Sequence, residues 1–403
     1  MPTDNPHSQL TTTRLMVMAV MAGVTVANLY YNQPLLNLMA ASFHQPHAAL
    51  GWVTMLTQLG YAAGLLVFVP LGDFLERRRL ISQLLLAATA SLVLVAFAPT
   101  LWWLKAASFI TGLVSVIPQV LLPMAADWAD NQNRGRVVGM IMSGLLIGVL
   151  LARTFSGFIG GLWGWRIMFD VAALLMVVML ALTQWQIPRT RPTRDRQPLH
   201  AVLASLVPLM REEPELLRVA LTGASFFAAF SAFWTTLTFR LAEAPYHYQS
   251  TTIGLFGLAG VAGALIAPIA GRRADRRDPR RLVTWAFLLA IMVFVMVGLL
   301  SGFLAVILAV VVLLDLATNS AQISNQSRIY ALHPNARSRS NTIYMVSYFV
   351  GGAIGSGLGS AAYTLGRMPL VAGTAVLFLL LGMVVHRRSL AKYTRPDLTN
   401  PVE

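Results

Sequence analysis

Runs of about twenty apolar residues recur along this chain, near 15–38, 49–71, 80–98, 101–124, 137–160, 164–187, 218–240, 251–271, 282–302, 303–326, 340–362 and 368–386. Each is long enough to cross a hydrocarbon layer roughly 30 Å thick as a helix rising about 1.5 Å per residue. No water is available there to satisfy backbone N–H and C=O groups, so only helices or a closed barrel can cross. Barrel strands would alternate in polarity over about ten residues. These runs do not alternate, and the expected class is an all-α membrane protein of twelve transmembrane helices. Composition agrees: 56% of the 403 residues are hydrophobic and 11% charged, against roughly 45–50% apolar and 25% charged in soluble domains.

The net charge of +14 raises nucleic acid as a partner, but the position of the cations decides against it. With residues 1–14 placed inside and the runs alternating, the inside segments hold 25 of the 30 Lys and Arg residues. The positive-inside rule then predicts both termini in the cytoplasm. The leader before the first run is polar, and no small-residue cleavage site follows a short apolar core, so an uncleaved first helix is expected rather than a signal peptide. Absence of cysteine excludes disulfides and thiolate metal sites. The seven histidines fall in expected loops or helix ends, so no metal centre and no cofactor is expected.

Two stretches repeat. Val69-Pro-Leu-Gly-Asp-Phe-Leu-Glu-Arg-Arg-Arg-Leu80 joins the second and third runs, and Gly271-Arg-Arg-Ala-Asp-Arg-Arg-Asp-Pro-Arg-Arg-Leu282 joins the eighth and ninth. Asp73 and Asp275 are 202 residues apart, and Arg134-Gly-Arg136 is echoed 203 residues later by Arg337-Ser-Arg339. Spacings of half the chain length predict a duplication. The expected organisation is an N-terminal six-helix half over 1–187, a cytoplasmic linker over 188–217 that begins with a Pro- and Arg-rich segment, and a C-terminal six-helix half over 218–403.

With the hinge, its echo and the paired halves, the chain resembles the major facilitator superfamily over essentially its whole length, most closely its drug/proton antiporter and sugar-efflux branch. Leu71, Asp73, Arg77 and Arg78 match the family signature between helices 2 and 3, while Val69 and Glu76 replace its two glycines. The echo keeps Gly271, Asp275, Arg276 and Arg280. The resemblance implies a gating role for Asp73, Arg77, Arg78, Arg134, Arg136, Asp275 and Arg276, with Asp73 near the N-terminus of helix 11. Two departures stand out. Ser108 occupies the position of the family's helix-4 arginine, four residues before Gly112, and Arg153 replaces the proline of the antiporters' helix-5 motif.

The resemblance also implies that helices 1, 4, 7 and 10 line a central cavity, where polar groups at lipid depth are the candidates. Asp315 lies about 18 Å into the tenth run, near the middle of the layer. Desolvation there favours the protonated carboxyl, which suits a proton relay or cation site, although an aspartate locked in a buried pair is the structural alternative. Arg153, about 24 Å along its run, is read as a counter-ion for Asp315, an anion-binding group or a snorkelling arginine. Asn28, Tyr31 and Asn32 on the first run, Phe230 and Trp234 within an aromatic stripe with Phe226 and Phe233 on the seventh, and Asn319 and Gln322 on the tenth are the substrate-binding candidates. Helix packing is the competing reading for the first run and the stripe, and interhelical hydrogen bonding for Asn325 and Gln326. Glycine series on the fifth and eleventh runs have no strand before them and read as close helix packing rather than nucleotide loops.

No nucleophile–base pair, metal cluster or nucleotide loop appears, so an enzyme is not expected. The expected function is proton-coupled efflux of a small or amphipathic organic molecule by alternating access in a bacterial inner membrane. A passive uniporter or an importer of a small polar solute is the alternative. Expected partners are the small-molecule substrate, the proton and the lipid bilayer; no nucleic acid is expected, and the protein is expected to be a monomer.

Overall fold

The computed structural model describes residues 10–130, 133–189, 199–260, 279–332 and 337–393, and every element among them is helical. In chain order they are α1 (Thr12–Ala27), a 3-10 turn (Gln33–Leu35), α2 (Leu36–Phe43), α3 (His47–Phe74), α4 (Arg77–Ala96), α5 (Leu101–Val114), α6 (Ile117–Trp128), α7 (Arg134–Trp163) and α8 (Trp165–Gln186). They continue with α9 (Leu199–Ala204), α10 (Leu206–Glu212) and α11 (Pro214–Ala242), then α12, described over Ser250–Gly260, α13 (Pro279–Leu300), α14 (Leu304–Leu332) and α15 (Arg337–Tyr393). Among the described residues, nine helical segments are long and apolar enough to cross a membrane.

The ends and breaks follow local chemistry. Thr11 and Thr100 turn their hydroxyls onto the amides of Arg14 and Trp103 and cap α1 and α5. The run expected as one helix over 15–38 is broken. Helix α1 stops at Ala27, residues 28–32 turn, and Pro34 sits at the start of the 3-10 turn because it has no N–H for an α-ladder. Pro118 plays the same part at the start of α6, after the break at Ser115 and Val116. Gly164, with φ 92°, is the whole joint between α7 and α8, a conformation that only glycine adopts freely. Helix α11 begins at Pro214, ahead of the expected 218, and two short helices precede it. Helix α15 breaks at Gly366 and Arg367, where φ is −150° and 54°.

The chain forms two compact units, one of Met1–Ala204 with Trp234–Ala259 and the other of Ser205–Phe233 with Gly260–Glu403. Helix α11 contributes its N-terminal part to the second unit and its C-terminal part to the first. Each unit is seamed by small residues. In the first, Gly144 and Gly148 of α7 lie against the backbone of Ala19 and Gly23 on α1. In the second, Gly351, Gly355 and Gly359 of α15 lie against Ala224, Ala228 and Ala232 of α11. Lipid tails are as apolar as leucine, so burying apolar surface does not drive these helices together; close backbone approach and dispersion do. A Cβ at Gly355 would collide with the Ala228 carbonyl, whereas one at Gly373 would meet nothing within 4 Å. Gly355→Val is therefore expected to lower the thermal unfolding midpoint of the detergent-purified protein by roughly 5 °C or more, and Gly373→Ala by less than about 1 °C, read by scanning fluorimetry.

Candidate functional site

In the first unit the centre is Arg153 on α7, only 2% exposed although it lies in the interior of an apolar helix, about two thirds of the way along. Its Nε donates to Oε1 of Gln33 at 2.7 Å. The guanidinium lies over the Trp234 ring at 3.9 Å and the Tyr30 ring at 5.0 Å. A desolvated cation over an aromatic face gains about 2 kcal/mol, and the charge-assisted bond to Gln33 fixes the orientation of the plane. Gln33 is held in turn because the break in the first span frees its carbonyl, which accepts from Thr238 Oγ1 on α11 at 2.8 Å. Helix α12 closes the far side of Arg153: a Cβ on Gly257 would come within 3.0 Å of the Arg153 Cβ, and Thr154 Oγ1 donates to the Gly254 carbonyl at 2.9 Å.

In the second unit the centre is Asp315 on α14, 3% exposed. Gly260 at the end of the described part of α12 leaves room for it, since a Cβ there would lie 3.1 Å from Oδ2. Asn319 spends its amide on the Asp315 backbone carbonyl one turn back, at 2.8 Å. Gln322 accepts from the Tyr348 hydroxyl of α15 at 3.3 Å. Tyr348 stacks on Phe227 at 4.1 Å, and Phe227 stacks on Phe230 at 5.8 Å.

Other expected residues lie among neighbouring helices. Asn28 donates to Ser115 Oγ at 3.2 Å, and Asn32 bonds Thr57 and Thr54, so both amides join helices within the first unit. Tyr31 is buried. The aromatic stripe divides: Phe226 and Phe233 pack on Phe287 and Phe294 of α13, while Trp234 turns to Arg153.

At the arginine-rich end of the first unit, Arg77 donates to Asp127 Oδ2 at 2.8 Å and to the Gly72 carbonyl at 3.0 Å. Arg134 lies 3.8 Å from the other oxygen of Asp127 and donates to the Ala126 carbonyl at 3.0 Å. Arg78 holds the carbonyl and side chain of Gln184, and Arg136 is exposed. Asp73 lies on α3, its side chain outside the described set, and Asp275 and Arg276 lie outside the described residues. In the second unit Arg328 donates to Glu215 Oε1 at 2.6 Å and to Ser389 Oγ at 2.8 Å, Ser389 bonds the same carboxylate, and Arg218 is 3.6 Å away.

Tyr30, Gln33, Asp127 and Glu215 are the residues that sequence reasoning passed over. Tyr30 and Gln33 stand three apart in the polar segment before Pro34, a helical spacing that places them on one side. Asp127 and Glu215 are two of only 16 acidic residues in the chain, and acid scarcity at arginine-rich helix ends is the signal that marks them.

The family model of the Major Facilitator Superfamily matches residues 15–356. The putative uncharacterized transporter YgaY of Escherichia coli K12 is 39% identical over 358 residues, 89% of this chain and 91% of that protein. A probable sugar efflux transporter of Helicobacter pylori G27 is 25% identical, with 89% of each chain covered. Among solved structures, a bacterial homologue of the human lysosomal transporter Spinster aligns with a TM-score of 0.75 at 13% identity, covering 97% of this chain and 98% of that one.

Removing one member of a buried pair leaves the other charge uncompensated, at a cost of about 3–5 kcal/mol. Glu215→Gln is expected to destabilise by about that amount in denaturant unfolding, and Arg78→Ala, partly exposed and bonded to neutral groups, by about 1 kcal/mol.

Proposed function

This chain belongs to the Major Facilitator Superfamily and is a multi-pass membrane transporter of a small molecule, not an enzyme; on that premise we propose that it exports a small or amphipathic organic molecule in exchange for protons. The observation that carries the reading is Asp315, a carboxylate 3% exposed near the middle of the 29-residue apolar helix α14. Ionisable groups at this depth are costly and mark ion or proton pathways. The probable sugar efflux transporter of Helicobacter pylori supports export as the direction.

In this proposal residues 1–187 and 218–403 act as two six-helix halves joined by a cytoplasmic linker over 188–217, and they alternate access to a site open to one side at a time. Asp315 takes up the proton, and Arg153 is its coupling partner in one conformational state. Asn28, Tyr31, Asn32, Phe230, Trp234, Asn319 and Gln322 contribute to substrate binding. Asp73, Arg77, Arg78, Arg134, Arg136, Asp275 and Arg276 gate the cytoplasmic side. The protein works as a monomer in a bacterial inner membrane with both termini in the cytoplasm, as its arginine distribution supports. A passive uniporter, or an importer of a small polar solute, is the second reading; what favours it is Ser108 at the place of the family's helix-4 arginine.

Proteoliposomes carrying an imposed pH gradient test the proposal with radiolabelled monosaccharides and fluorescent amphipathic dyes as probes. Accumulation of a probe against its gradient is expected in the native protein, and Asp315→Asn is expected to reduce its rate at least tenfold. Equilibration that ignores the pH gradient would instead establish the uniporter.

A further inference from the structure

Helix α14 carries Asp315, Thr318, Gln322, Asn325 and Arg328 at steps of three and four residues, which makes them one stripe along the helix. From Asp315 to Arg328 the stripe runs about 20 Å toward the arginine-rich end. Helix α15 lies antiparallel to it. Tyr348 bonds Gln322, the Gln326 amide nitrogen is 3.8 Å from Met345 Sδ, and the Tyr330 hydroxyl is 3.2 Å from Asn341 Oδ1. This register sets Tyr344 opposite Asn325, and both are 0% exposed.

The polar atoms at this crossing have only one another. The Tyr344 hydroxyl comes close enough to the Asn325 amide to interact with it, but short of full hydrogen-bond geometry, and neither the hydroxyl nor either polar atom of Asn325 meets another protein partner. One turn before Tyr344 the buried Ser340 hydroxyl is in the same position. Higher on the stripe, Thr318 differs from other helical threonines of this protein. Thr25, Thr57, Thr111 and Thr183 each donate to the carbonyl four residues back, but the buried Thr318 hydroxyl does not. A buried amide with no bond made is among the most expensive groups a fold can carry, and native interiors meet such groups with internal water making about three hydrogen bonds.

We propose that Thr318, Asn325, Tyr344 and Ser340 hold a file of bound water inside the second unit, and that this file carries protons between Asp315 and the arginine-rich side. The inference rests on the reading of Asp315 as the proton carrier. The file ends at Arg328, whose charge acts on Tyr344 and whose guanidinium bonds the Glu215 carboxylate and Ser389. In the transfer, the Asp315 carboxylic acid gives its proton to the first water and is left as a carboxylate. Each water and each hydroxyl of Thr318, Tyr344 and Ser340 accepts one proton and passes one on, so none changes charge, and the proton leaves as hydronium into bulk water. The Asn325 amide does not exchange protons on this path; it positions water, and is a positioning residue.

The full chain, reconstituted in one orientation with its arginine-rich side outward, is acidified rapidly from outside and followed by infrared difference spectroscopy. The protonated Asp315 carboxyl band is identified by its loss in Asp315→Asn. Asn325→Leu and Tyr344→Phe are expected to keep the band and slow its rise at least tenfold, and to lose water bands that shift in H2¹⁸O. Thr374→Val, whose hydroxyl bonds only its own helix at the Leu370 carbonyl, is expected to behave as the native protein. Tyr344→Phe removes a single oxygen and carries the test if Asn325→Leu does not fold. Equal rates in Tyr344→Phe and the native protein, unchanged water bands, or equal slowing in Thr374→Val would overturn the route while leaving Asp315 as a proton carrier. If no band disappears in Asp315→Asn, both the proton reading and the route fall.

Discussion

Inside a bilayer a polar group has no bulk solvent and must be met by another part of the protein or by enclosed water, and the structure is organised by that scarcity. Side-chain hydrogen bonds in the first unit tie one span to the next: Asn28 to Ser115, Asn32 to Thr57, Thr111 to Ser91. Where proline interrupts a helix, the freed backbone is met from another helix, as Thr238 meets the Gln33 carbonyl. That single residue then does two things, since its side chain also receives the Arg153 Nε. The break in the first span and the buried guanidinium are parts of one solution.

The two units solve the problem of buried charge differently. Arg153 lies over the Tyr30 and Trp234 rings and donates to the Gln33 amide, which holds a permanent cation away from water. Asp315 is buried on α14, and the residues that follow it on the stripe, Thr318, Gln322 and Asn325, are neutral amides and a hydroxyl down to the Glu215–Arg328 pair.

The fold class was legible because the backbone requirement is absolute in lipid, so run length alone announced the helices. The glycine series was equally readable, since it is a one-dimensional pattern. Side-chain choice within a polar segment was not. In the segment Asn28 to Pro34 the sequence offers six polar or breaking residues, and only the broken geometry after Ala27 turns Gln33 and Tyr30 onto Arg153 while sending Asn28 and Asn32 to other helices. The aromatic stripe on α11 was likewise a correct pattern with a divided use, because its two faces belong to different neighbours. Asp127 was hidden for another reason: a salt bridge to Arg77 spans 50 residues of sequence and has no periodicity to betray it.

The glycine seams have a consequence for the tolerance of substitution. In the first unit Gly144 and Gly148 meet Ala19 and Gly23, and in the second Gly351 and Gly355 meet Ala224 and Ala228. What each seam fixes is the distance between backbones, and the side chain omitted to reach it is missing from one partner or from both. Bulk can therefore be added on one side of a seam only where it is removed from the other, so the facing positions tolerate change as pairs.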